Sequence, residues 1–164
     1  MIIPLHLCSN CGAKLAPLQK CQDRYDDLAC YTLALGGVHF IHQHVVDAYA
    51  AQHVRPDSKP ISLAAALIGL YLFAEHDYTG REVQRVHMLL GNKMKKWPLF
   101  PAPRGHAAAT VVDVLETPAG PERERAIRIW AKAVWETWQE RHAEVEKLLR
   151  GQYNFEIRPP KPRA

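Results

Sequence analysis

Apolar residues recur at helical intervals along most of this chain. Near its end they fall three, four or seven residues apart, at Ile127, Trp130, Val134, Trp138, Val145 and Leu148. Such spacing places apolar side chains on one face of an α-helix. Comparable stretches predict helices at about residues 22–35, 38–53, 62–75, 80–96 and 121–150. Helices joined by short connections indicate a mainly α fold, a small helical bundle.

Residues that begin or end helices stand at the borders of these stretches. Gly36–Gly37 separates the first two helices, and Pro56 follows the second. Ser62 is placed to cap the third helix, because its hydroxyl can accept a hydrogen bond from a free backbone amide. Thr79–Glu82 has the form of a capping box before the fourth helix. Pro121 stands at the first position of the last helix, which proline favours.

Two segments do not fit the helical pattern. Trp97–Pro103 contains three prolines and is predicted to cross the surface as an extended strap. Thr110–Leu115 is rich in β-branched residues and predicts a short strand. Among the tryptophans, Trp130 and Trp138 share the apolar stripe of the last helix, whereas Trp135 lies off it. We therefore expect Trp135 to contact a partner or the strap.

The composition is that of an ordinary globular protein, with 164 residues, 48% hydrophobic and 23% charged. We expect one domain over residues 1–155 and a tail rich in proline, arginine and lysine over residues 156–164. The longest apolar run, residues 61–74, is too short to span a bilayer, which argues against a membrane partner. Residues 1–7 leave no room for a signal peptide, so a cytoplasmic location is expected.

The net charge of +4 is mild. Much of the positive charge lies in residues 93–96 and 158–163. A protein that binds nucleic acid usually carries a stronger and more continuous basic stripe. Nucleic acid is therefore a weakly supported partner, and a protein partner of unknown identity is the main expectation.

The cysteines carry the clearest chemistry in the sequence. Cys8 and Cys11 form a C-x-x-C pair that is followed at once by Gly12, and Cys21 comes ten residues later. Two thiolates at this spacing can face one ion when the backbone turns tightly, and glycine supplies the conformation for that turn. Cysteines in a reducing compartment favour metal over disulfides. Residues 8–21 therefore predict a knuckle that supplies three ligands to a structural zinc ion.

Three residues are candidates for the fourth ligand. Cys30 lies nine residues after Cys21 without a helix breaker between them. Such a spacing puts the two side chains on opposite helix faces, about 13 Å apart along the axis, which favours Cys30 as a small buried residue instead. If Gly36–Gly37 folds the first two helices into an antiparallel hairpin, the end of the second helix lies beside Cys21. His53 is therefore the favoured fourth ligand, and His42 is the second choice.

Several short motifs together resemble a known family. They are Cys8-x-x-Cys11-Gly12-Ala13 with Cys21, Val38-His39, His42-x-x-x-Val46-Asp47-Ala48-Tyr49-x-x-Gln52-His53, Trp97-Pro98, Thr110-Val111-x-Asp113-Val114 and Trp130-Ala131-x-x-Val134-Trp135. In this order they resemble an uncharacterised bacterial family, the domain of unknown function numbered fifty-nine forty-six. The resemblance covers about residues 8–149. It implies the zinc site and a single domain but no reaction.

One position departs from the family pattern. The family tends to have two adjacent histidines where this chain has His42-Gln43. The role of that position is therefore open.

An alternative function is a metal-dependent hydrolase. The second predicted helix carries a dense set of polar residues, His42, Asp47, Tyr49, Gln52 and His53. Together with His76 and His87 they could form a second metal site within a bundle. Against this, the sequence contains no H-E-x-x-H motif, no phosphate-binding loop and no G-x-S-x-G nucleophile motif.

The sequence as a whole favours a binding or regulatory module with a structural zinc ion. The hydrolase is the second interpretation and leaves the catalytic residues unknown. A zinc protein that binds nucleic acid is the third, and it requires the basic residues 93–96 and the tail to share one face with the knuckle.

Overall fold

The computed structural model describes residues 3–159. Its elements are β1 His6–Leu7, β2 Lys14–Leu15, α1 Cys21–Leu35, α2 His42–Gln52, α3 Pro60–His76, α4 Gly80–Lys93, α5 Val111–Glu116, α6 Pro121–Thr137 and α7 His142–Lys147. A 3-10 turn at Gln139–Arg141 precedes α7, and a π-helical turn at Leu148–Gln152 follows it. The predicted fold class, mainly α with an N-terminal knuckle, is confirmed.

Helix α3 forms the centre of the core. Its residues from Leu63 to Phe73 are buried on almost every side, as is typical of a helix that other helices surround. Helices α2, α4, α6 and α7 all pack against it. On α6, the indole N–H of Trp130 donates to Gln52 Oε1 at 2.8 Å. The indole N–H of Trp138, just after that helix, donates to the Ala51 carbonyl at 3.2 Å. These bonds tie the end of α2 to α6.

Helices α1 and α2 form the predicted antiparallel hairpin. The rings of Tyr25 and Tyr49 stack at 4.2 Å, which joins the start of α1 to the end of α2. At the other end, the Thr32 hydroxyl and His42 Nδ1 are 2.9 Å apart. Gly37 has a φ of 80°, which a residue with a side chain adopts rarely, and helps the chain reverse. This hairpin brings the start of α1 beside the end of α2.

Several predicted helix ends are corrected by the structure. Helix α2 begins at His42 rather than residue 38, because the backbone of Phe40 is left-handed with a φ of 49°. Helix α3 begins at Pro60 rather than residue 62, with proline at its first position. Helix α4 ends at Lys93 rather than residue 96, because Met94 is extended.

The last predicted helix, residues 121–150, is divided in two. Helix α6 ends at Thr137, since the backbone at Trp138 leaves helical values with a ψ of 15°. The 3-10 turn that follows redirects the chain, and α7 packs against α3. The continuous apolar period across this region conceals the break, because both segments turn apolar residues to the same core.

The strand predicted at Thr110–Leu115 is wrong, because this segment forms α5. The Thr110 hydroxyl accepts from the Asp113 backbone N–H, and Asp113 accepts from the Thr110 backbone N–H at 2.7 Å. This capping box offsets the low helix propensity of the β-branched residues. Val111 and Val114, three residues apart, then bury one face of a short helix.

Trp97–Pro103 forms neither helix nor strand, in agreement with the prediction that this segment is not helical. Its Phe100 is buried, and the ring of Trp97 meets that of Tyr153 edge-on at 5.4 Å. Trp135 is not part of this contact and is completely buried, which corrects the expectation for its side chain. Its indole N–H donates to Glu75 Oε1 at 2.8 Å. Within residues 3–159, every helix is too short or too polar to cross a membrane.

Candidate metal centre

A tight turn between β1 and β2 places the first two cysteines. The Cys8 backbone N–H donates to the Ala13 carbonyl, and the Gly12 N–H donates to the Cys8 carbonyl, both at 2.9 Å. Gly12 has a φ of 76°, in the left-handed region that glycine adopts without strain. The turn that the C-x-x-C-G pattern predicted is therefore present, and it turns Cys8 and Cys11 toward one point.

Cys8, Cys11, Cys21 and His53 meet at one place. Their ligand atoms all lie within 4.8 Å of one another, and no other such group is found in the described part of the chain. The sulfurs of Cys11 and Cys21 are 3.5 Å apart. Tetrahedral zinc with bonds of about 2.3 Å to sulfur separates its thiolates by about 3.8 Å. The cluster of three cysteines and one histidine can therefore hold a metal ion.

His53 presents one free nitrogen to this cluster. Its Nδ1 lies 3.1 Å from the Tyr49 carbonyl oxygen, to which it donates. Its Nε2 is buried and has no hydrogen-bond partner within residues 3–159. A backbone carbonyl that holds one imidazole N–H fixes the tautomer and leaves the other nitrogen to bind metal. The unpartnered Nε2 is the atom that the four-ligand arrangement requires.

Two residues that support the site were not predicted from the sequence. The Asn10 side chain donates to the Val54 carbonyl at 3.0 Å, which ties the knuckle to the residue after His53. The Tyr49 ring stacks on the His53 imidazole at 4.0 Å and restrains its orientation. The position of Asn10 inside the C-x-x-C turn is the only signal that points to its role, because its partner is distant in sequence.

The environment of Cys11 and Cys21 resists the ionisation of their thiols without a cation. Burial raises the pKa of Cys11 to about 11 and also raises the pKa of Cys21. Burial acts in the same direction on Cys8, but backbone N–H groups of Cys11 and Asn10 outweigh it, so the pKa of Cys8 is lowered. A bound cation reverses such penalties, since it stabilises each thiolate directly.

The two other candidates for the fourth ligand lie elsewhere. Cys30 is exposed on α1, so the expectation that it is a buried residue is wrong. Its position on the side of α1 away from the core was not evident from the helical pattern, since α1 is only weakly amphipathic. His42 is at the opposite end of α2 from His53, where it contacts Thr32.

The residues proposed for a hydrolase site do not gather into a second ligand group within residues 3–159. Asp47 is buried, and its Oδ1 accepts from the Gln43 side chain at 3.0 Å. His87 Nε2 donates to the Ala65 carbonyl at 2.7 Å. His76 Nε2 lies 3.0 Å from the hydroxyl of Tyr71 on the same helix. The Gln43 side-chain nitrogen also lies 3.4 Å from His87 Nδ1, so Asp47 and His87 share this partner, whereas His76 bonds elsewhere.

Asp47 is the most unusual of these residues. Its Oδ2 is buried without a hydrogen-bond partner in the described residues. It lies where a Cβ on Gly69 of α3 would stand, so only glycine permits this contact. Burial raises the pKa of Asp47 well above its ordinary value, and the Gln43 hydrogen bond offsets this only in part. At pH values between the unfolded and the folded pKa, the folded state therefore holds a proton here that the unfolded chain releases.

We predict that Asp47→Asn becomes more stabilising, relative to the wild type, as the pH rises above about 4. With the folded pKa raised, the contribution of Asp47 to stability is fully present below the unfolded pKa and is lost as the pH rises through the folded pKa. The difference in free energy of unfolding between Asp47→Asn and the wild type should grow by up to about 1.4 kcal/mol per pH unit while Asp47 keeps its proton in the folded state. Urea denaturation of both proteins at several pH values measures this divergence.

Asp57→Asn is the matched control for this experiment. Asp57 is exposed and pairs with Arg55 at 3.3 Å on the surface. Its substitution should leave the pH dependence of the wild type unchanged. If the difference in free energy of unfolding between Asp47→Asn and the wild type stays constant with pH, then Asp47 is ionised in the folded protein.

A family model described as a family of unknown function, DUF5946, matches residues 6–139. Neither a curated protein nor a solved structure matches the chain. The matched region contains the whole knuckle, the hairpin of α1 and α2, and the central helix α3.

Proposed function

The chain belongs to the family of unknown function DUF5946, and we propose that it is a binding or regulatory module held together by one structural zinc ion. Cys8, Cys11, Cys21 and His53 are the proposed ligands. The observation that carries the proposal is the approach of their four ligand atoms to within 4.8 Å of one another.

The donor set supports a structural role and zinc as the metal. Three thiolates and one imidazole complete a tetrahedral shell, whereas a catalytic zinc keeps one position open for water. Thiolate ligands select zinc over magnesium or calcium. Cys11 and Cys21 are at most 5% exposed, which leaves little access for a substrate.

The zinc ion fastens the N-terminal hairpin to the helices. The knuckle has a small apolar cluster of its own, in which Ala13 and Leu15 accompany Cys11 and Cys21. Two buried apolar side chains contribute only a few kcal/mol, roughly 1–3 each. Metal bonds that connect the β1–β2 hairpin to the start of α1 and the end of α2 therefore supply much of the stability of this region. In this proposal residues 1–155 fold as one zinc-dependent domain.

An apolar surface beside the knuckle supports the binding role. Ile3, Leu5 and Leu7 alternate along the chain before and within β1, and each is at least 61% exposed. Alternate apolar residues on a strand that has a free edge are typical of surfaces that receive a protein partner. A protein in the bacterial cytoplasm is the proposed partner.

Metal content per chain, measured by native mass spectrometry, tests the zinc proposal. We expect one zinc ion on the wild type and none on Cys21→Ser, because serine does not replace a thiolate ligand. Cys30→Ser is the matched control, since Cys30 lies on the same helix but is exposed and outside the cluster. It should keep its zinc. A wild type without zinc, or a Cys21→Ser variant that retains it, would contradict the proposal.

The fourth ligand has its own comparison in the same experiment. His53→Gln should weaken zinc binding at least roughly tenfold in competition with a chelator, because it removes one of four bonds. His42→Gln should leave the zinc affinity unchanged, since His42 contacts Thr32 at the far end of α2. If His42→Gln weakened zinc binding and His53→Gln did not, the fourth ligand would be His42.

A further inference from the structure

His44 is a buried polar side chain without an adequate partner. It lies in the first turn of α2 and is only 3% exposed. Its ring packs 4.2 Å from the ring of Phe73. Its Nδ1 is buried and has no hydrogen-bond partner among residues 3–159. A buried polar group left unpaired costs about 1–3 kcal/mol, so His44 is unfavourable for stability at this position.

The imidazole of His44 lines a cavity of about 320 Å³. The walls come from the loop before α2, the first turn of α2, the turn between α3 and α4, and one residue of α6. Besides His44, the polar side chains around it belong to His39, Asp77, Tyr78, Thr79 and Arg128. The cavity therefore has room for a small molecule and several groups that can bind one.

The walls of this cavity are held firmly in place. The Arg81 backbone N–H donates to the His39 carbonyl at 3.1 Å, which joins the start of α4 to the loop before α2. Gly80 approaches Phe40 so closely that a Cβ on residue 80 would overlap the Phe40 carbonyl oxygen. Thr79 caps α4, because its hydroxyl oxygen accepts from the Glu82 N–H at 3.2 Å. The cavity is thus formed before any ligand binds.

Two side chains of opposite charge, Asp77 and Arg128, line the cavity. In the described part of the chain, neither the Asp77 carboxylate nor the Arg128 guanidinium forms an ion pair. The His44 imidazole beside them is neutral, since burial and the charge of Arg128 lower its pKa to about 3. A neutral imidazole carries one donor and one acceptor nitrogen, and since Nδ1 is buried, Nε2 is the nitrogen available to the cavity. The cavity therefore presents a cation, an anion and a neutral hydrogen-bonding ring.

We infer that this cavity binds a small zwitterion of the α-amino acid class. The ligand carboxylate faces the Arg128 guanidinium, whose planar fork matches two carboxylate oxygens. The ligand ammonium group faces Asp77, and the His44 imidazole completes the polar contacts. The site is distinct from the metal cluster, because His44 is in the first turn of α2 and His53 caps its C-terminal end, nine residues and about 13 Å further along the axis. Its occupancy does not depend on the proposed zinc function.

The experiment uses the full chain and the proteinogenic α-amino acids as probes at millimolar concentration. Binding is followed by ¹⁵N-edited spectra of the histidine rings, with the His44 signal assigned from a His44→Phe variant. We expect at least one amino acid to shift the His44 signal and to raise the melting temperature. His44→Phe should fold as stably as the wild type or more so, because it removes an unpaired polar group, and it should bind more weakly.

Two charge-neutral variants identify the roles of the charges. Arg128→Gln and Asp77→Asn should each weaken binding roughly 10- to 100-fold, the effect of losing one charge-assisted hydrogen bond. Asparagine tolerates the left-handed backbone of residue 77, which has a φ of 55°. Arg125→Gln, one turn from Arg128 on the same helix and outside the cavity, should bind like the wild type.

Three results would overturn this assignment. The first is the absence of any shift in the His44 signal with every amino acid. The second is acetate binding as tightly as the best amino acid, which would remove the role of Asp77. The third is equal weakening by Arg125→Gln and Arg128→Gln, which would reduce the effect to general surface charge.

Discussion

Cys11→Ser is expected to lower the free energy of unfolding by roughly 3 kcal/mol or more, because it removes a buried ligand of the proposed zinc ion. Cys11 is 2% exposed, and its sulfur lies 3.5 Å from that of Cys21. Structural zinc contributes about 10–16 kcal/mol of apparent binding energy in small zinc domains at neutral pH. Only part of that energy is lost here, since the helical core has its own apolar contacts. The knuckle should become susceptible to proteases before the helices do.

Thermal and urea denaturation measure this effect, with limited proteolysis as a local probe. Cys30→Ser is the control for the loss of a thiol as such, because Cys30 is exposed on α1. An excess of chelator should bring the wild type to the stability of Cys11→Ser and should leave Cys11→Ser unchanged. If chelator and the serine substitution both leave the melting temperature of the wild type intact, the cluster does not stabilise the fold through a metal.

Gly80→Ala is expected to destabilise the protein by about 3 kcal/mol, at the upper end of the usual cost of overpacking. A Cβ at this position would overlap the Phe40 carbonyl oxygen and lie 3.0 Å from that of His39. Both obstacles are backbone atoms, which cannot move by a simple change of rotamer. The Arg81–His39 backbone hydrogen bond also holds the two segments together. The added methyl group must therefore separate α4 from the loop before α2.

Gly91→Ala is the matched control, because Gly91 lies on the same helix and a Cβ there would meet no atom within 4 Å. Alanine has the higher helix propensity, so this change should stabilise the protein by about 0.5–1 kcal/mol. Urea denaturation of both variants at one pH gives the comparison. Equal effects of the two substitutions would show that the close approach of α4 to Phe40 is absent in solution.

Features that depend on neighbours in sequence were predictable from the chain alone. The capping box at Thr79 is confirmed, with the Thr79 N–H donating to Glu82 Oε2 at 2.8 Å. The turn at Gly12 follows from the C-x-x-C-G pattern in the same way. Rules that use only neighbouring residues also gave one wrong prediction. The β-branched content of residues 110–115 suggested a strand, whereas the capping box formed by Thr110 and Asp113 gives a helix.

The identity of the histidine beside the cysteines depended on the packing of the α1–α2 hairpin. Helical geometry separated Cys21 from Cys30 but could not choose between His42 and His53, which lie at opposite ends of α2. The antiparallel packing of α1 on α2 places His53 beside Cys21. Gly36–Gly37 made this packing plausible from the sequence. The free Nε2 of His53, however, depends on the Tyr49 carbonyl, which only the folded chain places.

Burial of single polar side chains was decided by tertiary structure. Trp135 lies off the helical stripe yet is completely buried, because Glu75 on α3 satisfies its indole N–H. Asp47 and His44 also lie in the core, although both residue types are usually exposed or partly exposed. Periodicity reports the average polarity of a helix face, and it contains no information on which distant residues cover that face. Local sequence therefore determined the helices and the cysteine turn of this protein. Packing between helices decided which polar groups meet, because those contacts join residues far apart in the chain.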